Sequence, residues 1–338
     1  MYRRQEGWFA EVIEERIVAL WREYIRFLRT DRERVGVAER WVRALLLIVP
    51  YFVVDTLLLI RAAVWRPLTI DCTTEDGLHL RCRLPEVIQK YVYLFGTWEP
   101  DLVAFMRHQL QPGDTFIDVG ANIGYLSALG STLVGPHGVV VAIEPDPFMS
   151  AALQETVAMN DLTNIRLVAA AVSDRDGELS LFGGPSYIGG GSTTVANSRP
   201  ALRERGQVRA APLGSLVTSE ELANTRLIKI DVDGAEDRVL AGILASVDAL
   251  AADAELVVEM MPKWFSDPQL RPIDVLRPFL ERGFHVYLLP PGRWNYTPWR
   301  YLWPRDVGAP QRLRDSAVLE RRRGQLDVVL SRRDADAL

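Results

Sequence analysis

One stretch limits the fold of this chain more than any other. It is Thr115–Ser131, TFIDVGANIGYLSALGS, where a short apolar run breaks into glycines and then resumes with helical spacing. Phe116, Ile117 and Val119 suit a buried strand, with Asp118 near its carboxyl end. Gly120, Ala121 and Gly124 keep the connection free of bulky side chains, and Asn122 tolerates a tight turn. From Tyr125 to Leu133 the apolar residues recur with a period of about 3.6, so the turn opens a helix. A strand, a small-residue turn and a helix amino terminus make a site for the polar end of a nucleotide-like ligand.

The same texture repeats downstream. Val139–Ile143 is an unbroken β-branched run ending in Glu144-Pro145-Asp146, followed by a helix over Met149–Met159. Strands are expected at Ile165–Val172, Gly177–Phe182, Leu227–Ile230, Glu255–Glu259, His285–Leu289 and Leu326–Leu330. Strands apolar on both faces belong to a parallel sheet covered by helices, and ligands of such sheets sit beyond the strand carboxyl ends. Asp118, Glu144, Asp231 and Glu259 fall at that edge.

A glycine turn followed some twenty residues later by an acid also describes a dinucleotide site. Gly120–Gly124 lacks the G-x-G-x-x-G spacing, because Asn122 and Tyr125 occupy the second and third glycine positions. An acid directly before the turn is also awkward for a pyrophosphate. Asp118 suits a ligand with a positive amino group, as in S-adenosylmethionine, and Glu144 can accept from both hydroxyls of a ribose.

The amino-terminal part has a different composition. Phe9, Ile13, Ile17, Leu20, Tyr24 and Leu28 repeat at helical spacing between charges, an amphipathic helix that suits either a membrane surface or the chain's own core. Val42–Trp65 is the most apolar segment, yet Pro50, Asp55 and Thr56 interrupt it. An aspartate inside a membrane helix costs about 3 kcal/mol on insertion scales. A bilayer-lying or re-entrant helix, a buried or oligomer-interface helix, and a true span all remain open. Residues 1–66 thus form a helical appendage, membrane-peripheral or oligomer-forming, and 67–338 a catalytic domain with an aromatic-rich insertion at 290–324 before the last strand.

Net charge is −5, which gives no reason to expect nucleic acid. Only Lys90, Lys229 and Lys263 are lysines, a bias that suits a GC-rich bacterial coding sequence. Cys72 and Cys82 are too few for a disulfide scaffold and lack metal-ligand spacing. With no secretory signal in view, a cytoplasmic chain, peripheral to the inner face of the membrane, is the expectation.

The resemblance then becomes specific. The sequence resembles the FkbM family of S-adenosylmethionine-dependent methyltransferases through GTWEPDLVAFMRHQLQPGDTFIDVGANIGYLS, AIEPDPFMSAALQETVAMNDLTNI, AVSDRDGELSLF and LIKIDVDGAEDRVLAG, over roughly Leu78 to Phe284. The resemblance implies a class I methyltransferase (Rossmann-like) α/β fold, a mostly parallel seven-stranded sheet with helices on both faces, and methyl transfer, in most members to oxygen. Carried over by position, Asp118, Gly120, Ala121, Asn122 and Gly124 match the cofactor loop, and Glu144 the ribose carboxylate. Ala171, Val172 and Ser173 match the adenine edge, and Asp231, Asp233 and Glu236 the second signature near the transferred methyl. Asp233 stands where the family more often has glutamate, and Thr156 where asparagine is usual.

A hydroxyl acceptor must lose a proton, so Asp231 and Asp233 are the candidate bases, with Glu236 as an orienting partner. Acids after a strand also commonly cap the next helix, and clustered acids could instead hold magnesium; no metal is expected. Gly183–Ser198 reads as a loop over the cofactor or a plain connection, and Trp294, Tyr296, Trp299, Tyr301 and Trp303 as an acceptor lid, an apolar cover or a membrane contact. The expected acceptor is a hydroxyl of a glycan, glycolipid or secondary metabolite. The alternatives are an amide or amine nitrogen, or a membrane-recruited scaffold without turnover.

Overall fold

The computed structural model describes residues 2–29, 35–184, 192–196, 202–267, 269–289, 301, 308–321 and 324–338. These resolve into two compact units, one holding the described residues up to Glu99 together with Tyr301, the other the remainder from Pro100 onward. Residues 67–99 therefore group with the amino-terminal helices.

The first unit begins with α1, Tyr2–Leu28, and α2, Val37–Val64. Val18, Trp21, Ile25 and Leu28 of α1 are buried, a three-and-four spacing that makes one stripe. Trp21 meets Tyr51 of α2 at 5.8 Å between ring centroids, and the Tyr24 hydroxyl donates to the Leu46 carbonyl at 2.9 Å. Arg43 donates to the carbonyls of Phe27 and Leu28, tying the end of α1 to α2. Strands β1, Leu68–Thr73, and β2, His79–Leu84, pair as an antiparallel hairpin around the Glu75-Asp76-Gly77 turn. Cys72 and Cys82 are buried free thiols there, their sulfurs 3.5 Å apart. Helix α3, Val87–Phe95, starts where Glu86 accepts from the Ile88 and Gln89 N–H groups, and ends at Gly96 with φ +75°.

Of the readings offered for the late aromatics, Tyr301 takes the apolar cover. Far from lining an acceptor lid, it is buried in this unit, stacked on Phe95 and packed edge-on to Tyr91, with centroids 4.9 and 4.8 Å away. Trp294, Tyr296, Trp299 and Trp303 lie outside the described residues.

The second unit is a doubly wound sheet. Helix α4, Pro100–Gln109, leads into β3, Thr115–Val119, then α5, Tyr125–Val134, β4, Val139–Ile143, α6, Pro147–Met159, and β5, Ile165–Val168. The chain leaves the sheet for β6, Ala171–Val172, β7, Gly177–Gly183, β8, Ser192–Thr193, and β9, Arg203–Ala211, which form a separate four-stranded sheet. Short helices α7, Leu213–Leu216, and α8, Ser219–Ala223, precede β10, Thr225–Ile230, and α9, Glu236–Leu244. Strand β11, Glu255–Met260, helix α10, Pro272–Leu280, and strands β12, His285–Leu288, β13, Gln311–Arg312, and β14, Leu326–Ser331, complete it.

The main sheet runs β13-β12-β14-β11-β10-β3-β4-β5, with β14 antiparallel to both neighbours. It is the expected seven-stranded sheet with one two-residue strand, β13, added at its edge. Ile165–Val172 is not one strand: it breaks between Val168 and Ala171, and its second half pairs with β9. Strand β9 has no sequence signature, because RERGQVRAA is largely solvent-exposed and shows no apolar alternation. Ile117, Val141, Ile228, Leu256 and Val328 are fully buried in one core cluster, the continuous apolar runs that a sheet covered on both faces requires.

Candidate active site

From β3 the chain proceeds to β4 and β5 on one side, while β10 and β11 lie on the other. The order reverses between β3 and β10, and the crevice beyond the carboxyl ends of those two strands is where a sheet of this kind binds its ligand. Asp118 and the glycine turn stand on one side of it and Asp231 on the other.

The turn is built by backbone that favours glycine. Gly120, Asn122 and Gly124 have φ of +79°, +51° and +82°, so the loop curls tightly through left-handed backbone and α5 starts directly from Gly124. A Cβ at Gly120 would lie 1.9 Å from the Asp231 carbonyl oxygen, which leaves no other residue room there. The Gly120 and Ala121 N–H groups both donate to the Ile143 carbonyl, at 3.0 and 3.1 Å, locking the turn to β4. Thr156, buried on α6, donates its hydroxyl to the Ile123 carbonyl at 2.7 Å, so the residue that departs from the family pattern braces the same loop.

Asp118 is wholly buried. Its Oδ2 accepts from Ser127 Oγ on α5 at 2.6 Å, and its Oδ1 lies 3.4 Å from Lys229 Nζ with no hydrogen bond among the described residues. Lys229 was no site candidate from sequence, and it is the residue that joins the crevice. Its buried ammonium donates to the Gly120 carbonyl at 2.8 Å and stands 3.4 Å from Asp118 and 3.5 Å from Asp231. The signal was present in LIKI, a cation inside an otherwise apolar buried strand, which must find acidic partners.

Glu144 is buried at the end of β4, and its two oxygens accept from Asn122 N at 2.8 Å and Asp146 N at 2.9 Å. Burial pushes its carboxyl up to about 7, with those N–H groups pulling the other way. Asp146 caps α6 through Phe148 N, and its other oxygen takes Arg205 at 3.1 Å and the Ser192 hydroxyl. Thr193 meanwhile donates to the Asp233 carbonyl at 3.0 Å. Ser192 and Thr193 thus reach from the loop after β4 to the loop after β10, across the end of β3. The rest of Gly183–Ser198, apart from 183–184 and 192–196, lies outside the described residues.

After β10 the three acids part company. Asp231 is partly exposed and held by Lys229. Asp233 is partly exposed and sits at φ +56°. Glu236 is fully buried: it accepts from Gly234 N at 2.7 Å and from Met261 N at 3.4 Å, bracing the turn against the residue after β11. Burial pushes its carboxyl up to about 8, helped by the nearby Asp233 and Asp231 charges. Its contacts are therefore those of a support for the backbone rather than of an orienting partner for a base. Ala171, Val172 and Ser173 are buried, with Ser173 N donating to the Ala211 carbonyl at 2.9 Å. Among the described residues no group of three or more His, Cys, Asp and Glu is placed to hold a metal ion.

The residues present fit S-adenosylmethionine. Asp118 Oδ1 is a buried acceptor with no hydrogen bond among the described residues, Gly120 and Gly124 place no side chain in the turn, and each Glu144 oxygen retains a lone pair beyond its N–H partner. Strand order and site together are those of a class I methyltransferase, whose methyl donor is S-adenosylmethionine. Within that class, residues 118–286 match the model of the methyltransferase FkbM domain, and the chain belongs to the FkbM family.

Among curated relatives, the 31-O-demethyl-FK506 methyltransferase FkbM of Streptomyces tacrolimicus is 29% identical over 167 residues, 41% of this chain and 64% of that protein. The hexuronic acid methyltransferase AglP of Haloferax volcanii is 26% identical over 152 residues, 45% of this chain and 59% of its own. The chain thus spans about six tenths of the length of these relatives. Among solved structures, M. jannaschii TYW2 in complex with AdoMet superposes with a TM-score of 0.39 at 13% identity, covering 78% of this chain and 84% of that one.

Proposed function

We propose that this chain transfers the methyl group of S-adenosylmethionine to a hydroxyl of a glycan, a glycolipid or a related secondary metabolite. The observation that carries the reading is the Lys229 bridge, which ties the acid on the cofactor side of the crevice, Asp118, to an acid open to an acceptor, Asp231. The two relatives, one named for a 31-O position and one for hexuronic acid, support an oxygen acceptor on a natural product or a sugar.

When bound, S-adenosylmethionine supplies an electrophilic methyl whose carbon–sulfur bond breaks as the acceptor oxygen forms its bond to carbon, leaving S-adenosylhomocysteine. Asp118 takes the amino group, and Glu144 accepts from the ribose hydroxyls. Asp231 receives the hydroxyl proton, a role worth on the order of a hundredfold or more in rate. Ala171, Val172 and Ser173 meet the adenine edge, and Asp233 faces the acceptor beside Asp231. Ser192 and Thr193, crossing the end of β3, help exclude water.

The test has two arms. Calorimetric titration with S-adenosylhomocysteine and with NAD decides the cofactor; NAD binding without the sulfur ligand overturns the reading. Incubation of a cell extract with methyl-labelled cofactor then decides the acceptor atom. Label that survives mild alkali and stays with sugar or alkyl fragments is expected for an ether. Label lost to alkali, or recovered in amines after acid hydrolysis, assigns an ester or a nitrogen instead.

A further inference from the structure

Helix α2 carries an outer face that its own unit leaves uncovered. Its inner side is occupied: Ala44, Leu47, Tyr51, Leu58 and Ala62 are buried along one stripe. On the outer side Trp41, Leu45, Val49, Phe52, Ile60 and Val64 are all more than half exposed. At about 3.6 residues per turn and 1.5 Å per residue, such residues sweep roughly half the helix circumference over roughly 35 Å. By length and composition the helix is apolar enough to cross a membrane.

Between Arg43 and Arg61 the helix has one charge, Asp55, and it does not break this face. Its carboxylate is paired at 2.5 Å with Lys90 of α3, and both side chains are largely buried. The acid that counts against lipid contact in the bare sequence is therefore neutralised within the unit. At the ends of the face stand exposed tryptophans, Trp41 and Trp65. The guanidinium groups of Arg61 and Arg66 lie 5.1 and 5.4 Å from the Trp65 ring centroid. From Val37 to Arg66 the sequence holds four arginines against two acids, Glu39 and Asp55, a basic segment in a chain of net charge −5.

We propose that this face of α2 lies in the plane of an anionic lipid bilayer, its apolar residues among the acyl chains and its terminal arginines and tryptophans at the headgroups. Lipid fits better than a second copy of the chain because of the width of the face. A partner helix covers a stripe of roughly 100°, which would leave much of the exposed apolar surface in water. An in-plane pose fits better than a span because the inner stripe is packed from Ala44 to Ala62, with Asp55 bonded to α3 near the middle. A span would carry Lys90 and the backbone around it towards the hydrocarbon midplane. This inference is independent of the methyl-transfer reading, since every residue it uses lies in the first unit.

Vesicle flotation of the full chain tests it. The protein is expected to float with vesicles of equal parts phosphatidylglycerol and phosphatidylcholine, and roughly tenfold or more less with phosphatidylcholine alone. Alkaline carbonate should release it. The triple variant Leu45→Gln, Val49→Gln, Phe52→Gln should stay unfloated at an unchanged melting temperature, its replaced side chains being exposed. If that variant melts early, Val64→Gln with Trp65→Gln must show the same loss. The proposal is overturned if wild type does not float, if it resists carbonate as a spanning protein does, or if the folded variants float as wild type does. It is equally overturned if wild type sediments as a dimer that the triple variant makes monomeric without either floating.

Discussion

The Gly120 α-carbon lies so close to Asp231 that a methyl group on it would stand 1.9 Å from the Asp231 carbonyl oxygen. The cofactor turn and the strand end carrying the candidate base are thus in backbone contact, and neither can move without the other. With φ at +79°, Gly120→Ala would add backbone strain of about 1–3 kcal/mol to the clash. The expected outcome is a lower melting temperature and at least a tenfold weaker S-adenosylhomocysteine titration.

Lys229 neutralises a fully buried carboxylate. Lys229→Met should leave Asp118 uncompensated and cost about 3–5 kcal/mol in chemical denaturation, the usual scale for breaking a buried pair. The double variant Lys229→Met, Asp118→Asn should regain part of that stability while failing to bind cofactor. Stability losses that simply add in the double variant would show that the two charges are not coupled.

Asp231→Asn keeps shape and loses the proton acceptor. Cofactor affinity should stay within a few-fold of wild type, while labelled-methyl transfer falls on the order of a hundredfold. Transfer at the wild-type rate would move the role of base to Asp233.

In the proposed site Glu144 accepts from two ribose hydroxyls, which its ionised form does best. Its carboxyl sits at about 7, because burial disfavours the charge. S-Adenosylhomocysteine affinity should therefore weaken as pH falls through about 7, with a proton released on binding in that range. Calorimetry in buffers of different ionisation enthalpy measures that proton directly. In Glu144→Gln the released proton should disappear along with most of the affinity.

Glu236 gives a stability signature of a defined sign. Its folded pKa of about 8 exceeds the 4.5 of an ordinary glutamate, so the folded chain holds a proton that the unfolded chain releases. The resulting stabilisation is complete below pH 4.5 and is lost as pH rises through about 8, on the order of 5 kcal/mol in all. In Glu236→Gln the fall in melting temperature between those pH values should be shallower than in wild type.

Much of the proposed cofactor side was legible because it is local. Asp118, Gly120, Asn122 and Gly124 lie within seven residues of one another, and their strand, turn and helix follow from neighbouring side chains alone. Glu144 followed from one further strand. The other half of the site depends on which strands become neighbours. Lys229 reads as an anomaly in LIKI until β10 is placed beside β3, when an acid 111 positions earlier becomes its partner.

Sequence by itself determined the strand–turn–helix, the run of parallel strands and the acids at their carboxyl ends, since periodicity and backbone freedom act over a few residues. Tertiary structure alone decided the pairing of charges. It gave Asp55 to Lys90 across 35 positions, turned Glu236 towards backbone N–H groups, and took Tyr301 into an aromatic core. A buried charge or ring must find its partner in space, and distance along the chain says nothing of which partner that is.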